Sequence, residues 1–347
     1  MNTRYIIVGQ GLAGTVLAHT FLKHNTSVVI IDDASLSQAS KIAAGLYNPV
    51  VFKRLVKSWR VDELIPAMDA FYEEAEKMLN EKFYFKKNIV KLFVEEQEKL
   101  LWIKKSSEDV GKYLNKNIEE DFLKDVIYNS NGSAEVEQSG NLNIGLFLNA
   151  SQKYFIEKNI LLQEKFDYSQ LIISENGVKY KNISAAKIIF CEGYKTLENP
   201  YFNGLPFKLT KGEVITIRCK QLQQTQKVIN KGVFILPVGD DLYKVGATYE
   251  WADLTEQLTE KGKEELIGKL KKVLKVDFEI VNHQAGIRPT TLQRRPLLGL
   301  HPQHKVLAVF NGLGTKGVML APFFANQLVE FLENGKALDD EVDVGRL

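Results

Sequence analysis

Gly9, Gly11 and Gly14 stand at the spacing of a phosphate-binding turn, in Gly9-Gln10-Gly11-Leu12-Ala13-Gly14. Each glycine has its own task. Gly9 permits a tight turn, Gly11 lets the backbone approach a pyrophosphate, and Gly14 lets the following helix pack on the preceding strand. The start of that helix offers free N–H groups and a partial positive charge to phosphates. Asp32, followed by Asp33, lies where a carboxylate accepts hydrogen bonds from ribose hydroxyls. Together these residues predict a dinucleotide site. The pattern by itself does not separate FAD from NAD, and Asp32 argues against a 2′-phosphate.

Two further groups could bind polar or planar ligands. Residues 33–48 carry Ser35, Ser37, Ala39, Ser40, Ala43, Ala44 and Gly45, ahead of Leu46. Small side chains there would let backbone amides reach a bulky planar or phosphorylated ligand; a surface loop is the plain alternative. Gly312-Leu313-Gly314-Thr315-Lys316-Gly317 follows an apolar run and opens a helical pattern, a second place for anionic groups. Ordinary turn chemistry is its plain reading. Arg288, in Gly286-Ile287-Arg288-Pro289, reads at its simplest as a surface cation before a proline. His283 invites a role as a base, but strand alternation puts it with Ala285 and Ile287, so a packed or surface histidine is expected. Tyr47 and Tyr249 are open candidates for lining a substrate cavity. Arg294-Arg295 is a candidate to hold a carboxylate or phosphate, with exposure in a loop as its plain reading.

The elements that must hold these groups follow from hydrophobic periodicity. Residues 5–8 and 27–31 are continuous apolar runs, the pattern of parallel strands buried on both faces. Residues 13–23 have helical spacing, completing a strand–helix–strand unit around the glycines. A long amphipathic helix is expected over 61–79, half-exposed strands over 82–94, and a charged, helical stretch over 95–125. Helical spacing returns at 143–158 and 259–274. Strands are expected at 159–164, 177–180, 187–191, 213–218, 233–237, 242–248 and 306–310, with a hairpin turn at Asn176-Gly177.

Composition excludes other classes. The chain has 347 residues, with 45% hydrophobic and 25% charged, which is ordinary for a globular protein. Lys+Arg is 45 against 43 Asp+Glu, a net charge of +2, without the basic excess of a nucleic-acid binder. Cys191 and Cys219 are the two cysteines, too few for a disulfide framework or a cysteine zinc site, and they point to a reducing cytoplasm. No apolar run approaches the ~20 residues of a membrane span.

Taken in order along the chain, these segments resemble the D-amino-acid oxidase family of FAD-dependent oxidoreductases, particularly its glycine oxidase and sarcosine oxidase branch. The resemblance covers essentially the whole length. It rests on the glycine fingerprint, residues 40–46, residues 188–193, Leu242-Tyr243-Lys244-Val245-Gly246-Ala247-Thr248, Gly286-Ile287-Arg288-Pro289, and the last glycine loop with Ala321-Pro322. It implies an α/β protein in which a Rossmann-type FAD-binding domain (1–82, 141–207 and 285–347) is interleaved with an antiparallel-sheet substrate domain (83–140 and 208–284).

The resemblance also assigns roles. FAD would be held by Gly9 to Gly14, Asp32, Asp33, Ser40, Ala43, Ala44, Gly45, Leu46, Phe166, Cys191, Gly193, Arg288 and the loop Gly312, Leu313, Gly314, Thr315, Lys316 and Gly317. No cysteine follows Cys219, so the flavin is expected to be non-covalent. The substrate would be a small amine, oxidised at the carbon next to nitrogen, with oxygen as electron acceptor. Arg288 would grip its carboxylate, because a guanidinium fork matches a carboxylate bidentately. Lys316 would stabilise negative charge on reduced flavin or steer oxygen, and Tyr249 would face the substrate.

Departures from the pattern matter. Phe234 stands where simple glycine oxidases carry a tyrosine, and Leu313 and Thr315 replace a histidine and an arginine. The loop with Lys316 looks more like the oxidase domain of the bifunctional enzyme that modifies 2-thiouridine at the tRNA wobble position, which reads Gly-Leu-Gly-Ser-Arg-Gly. That makes a carboxymethylaminomethyl-uridine in tRNA an alternative substrate, less favoured by the weak net charge; Lys53-Arg54, Lys86-Lys87 and Lys271-Lys272 are its candidate phosphate contacts. A non-catalytic flavin carrier is the alternative of another class, and Arg288 would have no purpose in it.

Overall fold

A computed structural model describes residues 1–33 and 38–346; Ser35 and Ser37 of the small-residue stretch lie outside the described residues. The apolar run near the N-terminus forms β1 (Asn2–Val8), which leads through the glycine turn into α1 (Leu12–Lys23) and then β2 (Val28–Asp32). β1 pairs in parallel with β2 on one side and with the strand Ile183–Phe190 on the other. Ile6, Ile7, Ile30 and Ile31 are fully buried. Each such side chain contributes roughly 1.5–3 kcal/mol, which is why the run reads as continuous rather than alternating.

This first sheet extends outward from β2 to the strand Leu161–Gln163, and from Ile183–Phe190 to the hairpin Gly177–Tyr180 and Leu171–Ser174. Strand Leu307–Asn311 also pairs in parallel with Ile183–Phe190 and antiparallel with Leu297–Leu300. α1 and the helix Gly317–Asn334 pack side by side over one face. Pro322 lies inside that second helix and has no N–H for the carbonyl of Val318. The buried Tyr72 hydroxyl donates to that carbonyl instead, at 3.2 Å, so the helix continues without an orphaned acceptor.

A second, seven-stranded sheet runs Glu279–Arg288, Thr210–Arg218, Leu242–Gly246, Phe234–Gly239, Val228–Asn230, Ile89–Leu92, Ser133–Val136. It is antiparallel except where Val228–Asn230 meets Ile89–Leu92. Its outer face packs Ile215, Ile217 and Val245 against Leu266 and Leu270 of the helix Glu260–Lys271. Its inner face carries Gly212, Val214, Lys244 and Gly246 and looks across the crevice to the first sheet.

Two expectations need correction. Residues 33–48 were expected to be loop, but contain the short helix α2 (Gln38–Ile42). It is held against the second sheet by Lys244, whose Nζ donates to the carbonyl of Ile42 at 3.0 Å. Residues 95–125 were expected to be helical throughout, but the helix is Glu96–Lys105, followed by a 3-10 turn at Asp109–Tyr113 and irregular chain. Only Trp102 of that helix is buried. An apolar stripe that sparse cannot extend a helix through packing.

Candidate functional site

A cavity of about 620 Å³ opens between the carboxyl ends of the first sheet's central strands and the inner face of the second. That is where an open α/β sheet places a ligand. At one end is the glycine turn. Gly9 has φ +101, and a Cβ on Gly14 would fall 1.9 Å from the Gly9 carbonyl oxygen, so α1 starts closer to the turn than any side chain would allow. Gly11 is the N-cap of α1 and supplies no side-chain cap; the Ser40 hydroxyl takes the Leu12 N–H at 3.3 Å.

Asp32 accepts the Gln10 N–H at 2.7 Å through Oδ1. Burial pushes its carboxyl above the ordinary range, and that hydrogen bond pulls it back. Gly9, Gly11, Leu12, Ala13, Asp32, Asp33 and Ser40 all line the cavity. Gln10 does not line the cavity: it is buried, and its side-chain amide donates to the Leu148 carbonyl at 3.1 Å.

Phe166 lines the same arm and stacks on Tyr180, with ring centroids 4.5 Å apart. Cys191 is buried there and its thiol is pushed well above its usual range, so it stands as a neutral thiol. Glu192 was missed by the sequence reading. It follows directly on a buried strand and precedes Gly193, which was the available signal. Its carboxyl accepts the Tyr168 hydroxyl and, at 2.7 Å, the Asn199 amide.

The other end of the cavity is walled by Ala43, Ala44, Gly45 and Leu46 on one side and Leu313, Gly314, Thr315, Lys316 and Gly317 on the other. Gly312 lies behind this loop, close to Thr291, and Gly193 borders the cavity between the two ends. Lys316 is held by a hydrogen bond from Nζ to the Ser58 hydroxyl at 2.6 Å. Burial, with Arg294 and Arg295 adding repulsion, lowers its ammonium to about 8.

Arg288 reaches into this end from the last residue of Glu279–Arg288. Its guanidinium donates to the carbonyls of Thr248 at 3.3 Å and Lys211 at 3.4 Å, and its Cζ lies 4.6 Å from the centre of the Tyr249 ring. Among the described residues no carboxylate pairs with it. Burial pulls its affinity for protons down, yet an arginine keeps its charge. The site therefore holds a desolvated cation answered only by two long carbonyl contacts and a ring face, which leaves room for an anionic ligand group. Tyr249 is 54% exposed and forms part of the cavity wall. Phe234 and Val214 line the wall between, both packing over Gly246.

Three plain readings can be checked. His283 faces Glu213, 2.7 Å from its carboxylate, and does not line the cavity; among the described residues no histidine does. Tyr47 is buried in the core, outside the cavity wall. Arg295 is not the exposed loop cation expected. Its guanidinium stacks 4.1 Å from the Trp59 ring centre and reaches Glu341 at 3.7 Å.

A family model described as DAO, FAD dependent oxidoreductase, matches residues 4–331. A glycine oxidase of Bacillus licheniformis is 29% identical, in an alignment spanning 48% of this chain and 48% of that one. A glycine oxidase of Pseudomonas aeruginosa is 22% identical over 98% of this chain and 97% of its own. The crystal structure of glycine oxidase from Bacillus cereus superposes with a TM-score of 0.80 at 20% identity, covering 96% of both chains; at that identity the likeness concerns the fold. Among the described residues no helix is long and apolar enough to cross a membrane.

Proposed function

Because the chain belongs to the DAO family of FAD-dependent oxidoreductases, we propose that it oxidises the C–N bond of a glycine-like or N-substituted amino acid. The observation that carries this reading is Arg288, a half-buried guanidinium that, among the described residues, has no carboxylate partner and lines the cavity beside the small residues and the second glycine loop. The glycine oxidases among its relatives support an amino-acid substrate.

The residues present fit FAD. The tight turn at Gly9 to Gly14 suits the pyrophosphate, Asp32 suits a ribose, and Ala43 to Leu46 with Leu313 to Gly317 line the cavity, where they would hold the flavin ring. We assign the flavin as non-covalent. Cys191 is a neutral buried thiol, and Cys219 belongs to the packing of the second sheet's outer face. Oxygen is the proposed acceptor, and the cytoplasm the proposed location. On this reading 1–82, 141–207 and 285–347 hold the cofactor, and 83–140 and 208–284 form the substrate domain.

Bound FAD would supply a hydride acceptor for the carbon next to nitrogen, leaving an imine open to hydrolysis. The protein's own part is positioning and field. Arg288 fixes the substrate carboxylate and so the direction in which the reacting carbon points. Tyr249 covers the guanidinium on its solvent side, and Val214 and Phe234 keep water from the walls. Lys316 lines the cavity with its Nζ held on the Ser58 hydroxyl, and as a cation it offsets negative charge that develops nearby. Glu250, Asp253 and Glu256 follow Tyr249 in sequence; three acids there suit a phosphate backbone poorly, so the small amine is preferred to tRNA.

The test is the visible spectrum of the purified protein under anaerobic conditions, before and after glycine, sarcosine and a carboxymethylaminomethyl-uridine nucleoside. Bleaching of bound flavin by a small amino acid is expected. Bleaching by the nucleoside alone would move the assignment to modified tRNA, and flavin inert to all three would favour a carrier.

A further inference from the structure

We propose that Glu192 is a cofactor-facing acid that keeps its proton in the FAD complex, so that FAD binding takes up a proton. This rests on the reading above that the glycine-turn arm of the cavity receives the pyrophosphate of FAD.

A Cβ built on Gly9 would lie 3.6 Å from the Cα of Glu192. The phosphate turn is thus bordered by an acid on each side, Asp32 at the end of β2 and Glu192 just beyond the strand Ile183–Phe190. The two are not equivalent. Asp32 takes a backbone N–H from the turn itself. Glu192 takes only the Tyr168 hydroxyl and the Asn199 amide, both neutral donors, and no ion pair neutralises it among the described residues. The residue is half-buried and lines the cavity.

Charge around it is mixed. Lys195 favours the carboxylate and Glu198 opposes it, while Lys165, Asp32, Asp33 and Tyr194 line the same cavity, and Tyr168 and Cys191 flank it as neutral groups. Burial outweighs the two hydrogen bonds and raises Glu192 to about 7. The empty protein therefore holds this carboxyl near its midpoint at neutral pH. The pyrophosphate of FAD is fully ionised across this range and enters the same poorly solvated cleft. A like charge raises a carboxyl further. Binding then shifts Glu192 toward its neutral acid, and the proton comes from solvent. By linkage, FAD affinity falls as pH rises above about 7, approaching tenfold per unit while the complex stays protonated and the free protein does not.

The experiment uses the full chain stripped of flavin. FAD dissociation constants are measured by fluorescence quenching from pH 6 to 9, and proton uptake on mixing is followed with an indicator in weak buffer at pH 7.5. The wild type is expected to take up protons and to lose affinity above pH 7. Glu192→Gln is expected to take up fewer protons at that pH and to show a flatter profile. Lys316 also titrates in this window from the opposite end of the cavity, and its share is whatever slope survives in Glu192→Gln. Tyr168→Phe removes a donor that favours the carboxylate, so its break should move to higher pH; this keeps the test open should Glu192→Gln fold poorly. FAD binding without proton uptake, or the same slope in wild type and Glu192→Gln, overturns the role of Glu192 alone. No FAD binding at any pH overturns the cofactor assignment with it.

Discussion

A Cβ on Gly212 would lie 1.9 Å from Nη2 of Arg288. The two residues sit on neighbouring strands of the second sheet, where Gly212 pairs with Gly286 and Arg288 with Thr210. The guanidinium folds back over Gly212, and the missing side chain is the space it occupies. Gly212→Ala should therefore displace the fork without straining the backbone. Affinity for a carboxylate ligand, read from perturbation of the flavin spectrum, should fall at least about tenfold, or about 1.4 kcal/mol. FAD content should hold. An unchanged ligand affinity would separate the guanidinium from carboxylate binding.

Arg288→Ala and Arg288→Lys probe the same contact directly. A charge-assisted hydrogen bond contributes about 1.5–3 kcal/mol, so kcat/KM for a small amino acid should drop roughly 10- to 150-fold in Arg288→Ala. Arg288→Lys should recover little, because an ammonium cannot present a planar fork. Steady-state kinetics with substrate and with its decarboxylated amine would tell: the amine should be indifferent to both changes.

Tyr249 should act through its ring. The cation–π contact with Arg288 is of order 0.5–2 kcal/mol. Tyr249→Phe should keep KM near wild type and Tyr249→Ala should raise it several-fold. A large loss in Tyr249→Phe would instead assign work to the hydroxyl.

Lys316 predicts a pH dependence with a definite sign. Its folded value of about 8 lies below the 10.5 of a free lysine. A role as a cation in the reaction means activity that falls as pH rises through about 8, and Lys316→Met should remove that limb. For stability the sense is opposite. The penalty for burying the charge is full below about 8 and disappears between 8 and 10.5, where the unfolded chain binds more protons. Lys316→Met should stabilise the fold near pH 7 by an amount on the order of 2 kcal/mol, measured by urea unfolding.

Gly14→Ala would bring a methyl to 1.9 Å of the Gly9 carbonyl oxygen, a backbone atom that cannot swing away. α1 must then move off the turn. The variant should purify without flavin colour and unfold earlier, by about 1–3 kcal/mol.

The first strand–helix–strand unit was legible because it is local. Its strands are buried on both faces, its helix begins at the turn, and the contacts that close the turn on itself, Gly14 against Gly9 and Gln10 to Asp32, lie within the first 32 residues. The long helix Val61–Leu79 was legible from its apolar stripe for the same reason. α2 was not. Five residues cannot signal a helix by periodicity, and it is held from outside by Lys244, some two hundred residues later.

The sequence by itself determined the dinucleotide turn, the strands that present it and the family pattern, since these depend on neighbours in the chain. Only the tertiary structure decided which charges face the ligand without a partner. His283 pairs with Glu213 on the outer face, Arg295 with Trp59 and Glu341, while Arg288 and Glu192 are left looking into one cavity. The reason is physical. Burial and missing counter-charges are properties of surroundings assembled from distant segments, and no spacing along the chain encodes what will be absent beside a residue once the chain has folded.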